Sequence, residues 1–287
     1  MARPGNTRKE GKRGVLWLII GTAAAVLYLF LTAPGRNARK RGAAIPRVPY
    51  AHRGLHGAGI PENSLKAFRL AAEKGYGIEL DVHLTWDGRL AVIHDGSLER
   101  MCGVEGNVSD MTAREICACR LAGTEETVPL LEDVLEAVRA WRPPLIVEMK
   151  SGGKGQRALP HLLLEAMRGY EGFWCAESFD PRLLRELKKR APDIVRGQLA
   201  YDPRRIGEKH RECYYALGAA LLMDFLSRPD FIAYRYDTDR NLSFRAVRRL
   251  FRPVLAAWTV KTPEAFNNLR MSYDVQIFEG FEPYLIP

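Results

Sequence analysis

The chain is expected to fold as an eight-stranded (β/α)₈ barrel of the TIM type, preceded by a single transmembrane helix. Three observations predict this: eight short apolar runs alternate with amphipathic helical patterns, an uncharged run sits near the N-terminus, and no glycine-rich phosphate fingerprint follows any early strand. A doubly wound open sheet is the rival architecture, and that missing fingerprint lowers it. With 287 residues and 47% apolar content, the chain can bury one barrel-sized core plus an appendage.

The domain boundaries follow from composition. Residues 1–14 form a basic flank and 15–33 a transmembrane helix. Residues 34–47 read as a basic tether, and 48–287 hold the barrel. From Val15 to Ala33 the run "VLWLIIGTAAAVLYLFLTA" carries no charge, roughly the length that spans a bilayer core. A cleaved signal peptide is the alternative, but the run exceeds a signal's usual apolar core, and Ala33 before Pro34 is a poor cleavage site. "PGRNARKRGAAIPR" reads as a flexible tether whose basic run faces lipid.

The net charge of +9 is not a nucleic-acid signal. Residues 1–47 hold ten Lys and Arg against Glu10 alone, and the remainder is balanced. Arg3, Arg8, Lys9, Lys12 and Arg13 precede the apolar run, and five basic residues follow it, so flanking charge does not orient the span. Five cysteines, odd in number and without CxxC spacing, read as reduced thiols and lean the barrel toward the cytoplasmic side.

In chain order the strand candidates are "VPYAHR", "YGIELDVHL", "LIVEMK", "FWCAES", "VRGQLAY", "FIAYRYD", "VLAAWTV" and "VQIFEG". Between them run "SLKAFRLAAEKG", "LEDVLEAVRAW", "HLLLEAMRGY", "PRLLRELKKRA", "CYYALGAALLMDFL", "LSFRAVRRLF" and "PEAFNNLR". Asn63 or Ser64 can cap the first of these helices, with Gly75 at its end, and Asp180 before Pro181 starts another. One run, "LAVIHD", breaks the alternation. Too few residues separate it from "IELDVHL" for a helical crossover, and Asp87-Gly88 is a hairpin signal. Folding back there brings His94 opposite Asp81 and near Glu79.

Side chains two apart on a strand share a face, so Glu79 joins Asp81, and Glu148 joins Lys150. Inward acids at a strand end are hard to stabilise without a cation. His52, Arg53 and His94 complete a set suited to metal-assisted phosphodiester chemistry.

With "AHRG", "PENSLKAF", "IELDVHLTWDG", "VIHD", "VPLLEDVLEAV", "VEMK", "ESFDP" and "AAWTV" in this order, the chain resembles the glycerophosphodiester phosphodiesterase family from about Val48 almost to its end. The resemblance implies a metal-dependent barrel hydrolase that cleaves glycerophosphodiesters, lysophospholipids among them, to glycerol phosphate and an alcohol. Glu79, Asp81 and Glu148 would hold Mg²⁺ or Ca²⁺. Arg53 and Lys150 would bind phosphate, and His52 and His94 would serve as acid and base, with the division between them open. Glu62 and Asn63 match the family's PEN motif and would support these groups. Phe179 and Trp258 would wall the organic part of the substrate, with membrane lipid the other partner and no nucleic acid or protein partner implied. His56, His83, His161 and His210 are read as structural or solvated.

The chain departs from the family pattern at "VQIFEGFEP", where Glu279 stands nearest the usual Asp. Two other readings use the same residues: a phosphatidylinositol phospholipase C-like lyase, and a catalytically silent, membrane-tethered barrel that binds phosphorylated lipids.

Overall fold

The computed structural model describes residues 7–152, 155–206 and 213–285. Arg3 and His210 lie outside them. After helix α1 (Thr7–Thr32) and a short α2 (Ala38–Gly42), the chain enters the barrel at β1 (Tyr50–His52) and crosses α3 (Leu65–Glu73) into β2 (Gly77–Leu84). Strand β3 (Leu90–Val92) is followed by α4 (Glu99–Cys102), α5 (Ala113–Cys117) and α6 (Leu131–Ala137). Regular alternation then resumes with β4 (Leu145–Met149), α7 (Leu159–Ala166), β5 (Trp174–Ser178), α8 (Pro181–Arg190) and β6 (Arg196–Ala200). Helices α9 (Cys213–Ala219) and α10 (Asp224–Ser227) lead to β7 (Phe231–Arg235). The barrel ends with α11 (Leu242–Phe251), β8 (Val254–Val260), α12 (Pro263–Leu269) and β9 (Val275–Phe278).

Eight of these strands close a parallel barrel, since β1 pairs with both β2 and β9. The ninth, β3, is the exception that the Asp87-Gly88 turn predicts: it pairs antiparallel with the upper end of β2. Gly88 takes the left-handed conformation this turn requires, with φ of 81°. The barrel interior is filled by Tyr50, Ile146, Cys175, Leu199, Phe231 and Ile277, while the outer faces of the strands pack on the helices. Gly197 is needed where it stands, because a Cβ there would come within 2.1 Å of the Phe231 ring.

Capping follows local chemistry. Ser64 Oγ accepts from Ala67 N at 3.2 Å, and Asp180 caps α8 ahead of Pro181. The run read as one helix, "CYYALGAALLMDFL", divides into α9 and α10 at Leu221, whose φ is 57°.

Segment 34–47 is not a flexible tether. It lies folded across the base of the barrel, where the strands begin. Arg41 Nε bonds Asp230 Oδ1 at 2.9 Å and its Nη2 donates to Ile194 O at 2.9 Å. Ile45 is buried in the barrel interior, and Arg47 pairs with Asp274 at 3.4 Å. Of the basic residues in this segment, Arg41 and Arg47 are therefore tied to the barrel base, while Arg36, Arg39 and Lys40 stay exposed. The segment's partners, Asp230 and Asp274, are distant in sequence, which composition alone does not reveal. Residues Lys12–Thr32 are long and apolar enough to cross a bilayer.

Candidate active site

The site is organised by one edge of β2. Strand β1 pairs with that edge from Gly77 to Glu79 and stops at His52, opposite Glu79. Strand β3 takes the same edge from the other end, descending from Leu84 to Val82, and Ile93 N then bonds Asp81 O at 3.2 Å. The two chains approach head-on and deliver His52 and His94 into one gap. The register places His94 past Val92, level with Leu80 rather than opposite Asp81 as expected, because the pairing runs Val82 with Val92.

From β2 away from this edge, the carboxylates form a row over the neighbouring strands β4 and β5. Asp81 is in register with Glu148 on β4, and Glu148 with Glu177 on β5. Glu79 lies two residues below Asp81 on the same face. Ligand oxygens of Glu79, Asp81 and Glu148 all lie within 4.8 Å of one another, and all three residues are buried. Glu177 is the acid that sequence reasoning missed. It too is buried, and its Oε2 has no hydrogen-bond partner. Its signal was present: an acid in an apolar strand, like Glu148.

Two cations face this row. Lys150 Nζ lies 2.8 Å from both Asp81 Oδ1 and Glu148 Oε2. Arg53 turns back at φ of 56°, so that its N–H donates to Glu79 Oε2 at 3.0 Å and its Nη1 to Glu62 Oε1 at 2.8 Å. Its Nε is 3.4 Å from Asp81 Oδ2. Asn63 does not cap α3. It donates to Asp81 Oδ2 at 2.8 Å, which aims that carboxylate. Glu62 also pairs with Arg100, which in turn pairs with Asp95.

Burial and charge pull the acids apart. Burial raises Glu79, and Asp81, Glu148 and Glu177 add to the effect. Burial likewise lifts Glu148, against the pull of Lys150, to about 7, and lifts Glu177 well above the carboxylate range. Asp81 resists burial because Lys150, His94 and Arg53 together hold it well below its ordinary value. Four inward acids against two cations is an excess that a hard, oxygen-preferring divalent cation relieves, so the donor set suits such an ion.

Each histidine carries a carboxylate on Nδ1: Glu279 Oε2 on His52 at 2.6 Å, and Asp95 Oδ1 on His94 at 2.7 Å. Both Nδ1 atoms then donate, and Nε2 is the titrating position. His52 Nε2 lies 3.9 Å from Glu79 Oε2. Burial lowers both imidazoles, His94 to about 4 with Lys150 and Arg53 contributing. The His52 bond in turn holds Glu279 down to about 2. His83 Nε2 bonds His94 O at 3.0 Å and secures that loop, and His161 is exposed. His56 sits beside His52 and Glu279.

A cavity of about 430 Å³ opens from His94, Glu148 and Lys150 toward Phe179, Tyr201 and Tyr214. Trp258 is not among its lining residues. It packs edge-on against Phe179 and Tyr201 at 5.6 and 6.1 Å, and its Nε1 donates to Ala233 O. It stands half-buried beside these two rings.

Comparison with known proteins gives concordant matches. Residues 52–275 match the model of the glycerophosphoryl diester phosphodiesterase family. A glycerophosphodiester phosphodiesterase of Caldanaerobacter subterraneus is 38% identical over 160 residues, covering 52% of this chain and 65% of that protein. A lysophospholipase D of Rattus norvegicus is 39% identical over 100 residues, covering 30% and 32%. These matches span less than two thirds of the relatives' own length. Among solved structures, a glycerophosphodiester phosphodiesterase from Thermotoga maritima superposes with a TM-score of 0.63 at 27% identity, covering 81% of this chain and 94% of that one.

Proposed function

Because the chain belongs to the glycerophosphoryl diester phosphodiesterase family, we propose that it is a membrane-anchored, metal-dependent phosphodiester hydrolase. Its substrates are glycerophosphodiesters, which it cleaves to glycerol phosphate and an alcohol, and lysophospholipids, which give the acylated glycerol phosphate and the head-group alcohol. The observation that carries this reading is the meeting of His52 and His94 along one edge of β2, beside a buried acid row.

Phosphodiester cleavage needs neutralised phosphoryl oxygens, an activated nucleophile and a proton for the departing alkoxide. Glu79, Asp81 and Glu148 would hold Mg²⁺ or Ca²⁺, which when bound would supply charge neutralisation for the phosphoryl group. Lys150 and Arg53 add fixed positive charge at the same place, and Asn63 and Glu62 hold Asp81 and Arg53 in position. One imidazole takes a proton from the nucleophile and the other gives one to the leaving oxygen, each oriented by its own carboxylate. Both are low in pKa without substrate, and the negative phosphate raises the one that must be protonated. Phe179 and Tyr201 line the space for the organic part of the substrate, and Trp258 packs against both.

The helix Lys12–Thr32 supports a single-pass anchor. The described cysteines are unpaired, in keeping with a cytoplasmic barrel. The reaction is tested by hydrolysis of glycerophosphodiesters and lysophospholipids with Mg²⁺, with Ca²⁺ and with chelator. Cleavage that survives chelation refutes metal dependence, and no cleavage of any of them refutes the hydrolase. The anchor is tested by carbonate extraction of membranes, where release of the full chain refutes it.

A further inference from the structure

The end of α1 is not free of the barrel. Tyr28 hydroxyl contacts Ser243 Oγ at 2.8 Å and donates to Ser243 O at 3.2 Å. Phe30 packs against Phe225 at 5.9 Å and beneath the Arg228 guanidinium at 4.8 Å. Arg228 Nη1 then donates to Ala33 O at 2.8 Å, and Gly35 N to Pro229 O at 2.9 Å.

These contacts fix a direction. Arg228 and Pro229 lie just before β7, at the barrel base. Ser243 lies in the first turn of α11, beyond the end of β7, at the rim that carries the site. Read from Ala33 back to Tyr28, the helix climbs from base to catalytic rim. Continued toward its N-terminus, it leaves the barrel on the catalytic side, and Val15–Leu27 are uncovered.

Lys12 to Leu27, the exposed part of the helix beyond the docked Tyr28, spans roughly 24 Å, a length that a locally thinned bilayer accommodates, with Lys12 and Arg13 reaching outward to head groups. Tyr28 then sits at interfacial depth, where such rings are favoured, and so does the rim it touches. Leu242, next to Ser243, is 80% exposed, and Leu217 on α9 is 39% exposed. Trp86, on the hairpin tip across the mouth, is 69% exposed. Leu250 and Met271 are exposed too, at the base, but stand beside Arg249 and Arg270. Helix α9 also forms the outer wall of the cavity through Tyr214, Tyr215 and Gly218.

We infer that α1 holds the barrel with its catalytic mouth against the bilayer, so that the cavity takes single-chain phosphodiester amphiphiles from the lipid surface itself. This rests on the anchor and hydrolase readings above. Substrate need not cross water: the polar head meets Lys150 and the acid row, and the chain leaves past α9 into the membrane.

The test uses the full chain in phosphatidylcholine vesicles carrying lysophosphatidylcholine and a quencher-bearing lipid. A fluorophore at Leu217 or Leu242 is expected to lose its emission, and one at Leu250 or Met271 to keep it. Equal quenching at both ends, or quenching at the base alone, overturns the orientation. Substituting Tyr28→Ala with Phe30→Ala, which loosens the docking but leaves the span, should slow cleavage of vesicle-borne lysophosphatidylcholine about tenfold through lost effective concentration. Soluble glycerophosphocholine should be cleaved as before. Equal effects on the two substrates overturn delivery from the membrane. A chain released by carbonate sinks the anchor and this proposal with it. A wild-type chain that cleaves neither substrate sinks the hydrolase, while the quenching pattern still decides the orientation.

Discussion

Replacing Glu279 by Gln isolates the partner that orients His52. The Glu279–His52 bond is 2.6 Å long and partly buried. A hydrogen bond to a charged group is worth about 1.5–3 kcal/mol, so an interaction made fully in the transition state corresponds to a loss of about 10–150-fold in kcat/KM. The pH profile should change as well. Burial lowers the His52 pKa and Glu279 opposes that, so the variant's imidazole titrates lower still. The limb of the kcat/KM profile that His52 governs moves to lower pH while the plateau falls. Stability gives a second readout. Glu279 titrates at about 2 in the fold against an ordinary 4.5. Its carboxylate therefore stabilises the protein fully above the ordinary value and loses that contribution as pH falls through about 2. Denaturation midpoints of wild type and E279Q should differ at neutral pH and converge in acid. Turnover of glycerophosphocholine by the full chain with saturating metal is the assay. A plateau within twofold of wild type with neither limb moved would refute the orienting role.

The histidines themselves should matter more: His52→Ala and His94→Ala are each expected to lose at least about 100-fold in turnover with metal affinity retained. A nitrophenyl ester, needing no proton on its leaving group, should rescue only the variant lacking the acid, and rescue of both or neither counts against the division of roles. Gly197→Ala drives a Cβ into the buried Phe231 ring and should cost about 1–3 kcal/mol, read as a lower urea midpoint. An unchanged midpoint would mean the barrel interior yields there. Divalent metal should bind more tightly as pH rises toward 8 and release protons on binding, because Glu79, Glu148 and Glu177 are all raised in its absence. Calorimetry in buffers of different ionisation heat measures this, and a pH-independent affinity without proton release would remove Glu79 and Glu148 from the metal site.

The eight barrel strands were legible because each is an apolar run ended by Gly, Pro or charge, and the hairpin because Asp87-Gly88 leaves too little chain for a crossover. The acids Glu79, Asp81 and Glu148 stood out as charges inside such runs. Glu177 carried the same signal but was passed over, since it has no neighbouring cation in sequence to draw attention; only the register with Glu148 shows its place. The tie between His52 and Glu279 joins the first strand to the end of the last, and no local pattern encodes it. The same holds for Arg41 with Asp230, which turns a stretch with a linker's composition into a plug for the barrel base. The register of β3 differs by one residue from that of a two-residue Asp-Gly turn, because Thr85 N bonds Arg89 O and the turn holds three residues.

The short β1 and the stray β3 have a common explanation. A parallel strand presents its ending side chain to the mouth from below, and only an antiparallel strand can bring a second one to the same edge from above. Had β1 continued past His52, it would have occupied the edge of β2 that β3 needs. Arg53 ends it with a left-handed turn, and the bond from its N–H to Glu79 makes that turn part of the acid cluster. Two histidines approaching from opposite directions can bracket a phosphorus centre. Two on a single strand would lie on one side of it. On the proposed mechanism, the break in the barrel's alternation would serve a reaction that needs a base and an acid on opposite sides of the same atom.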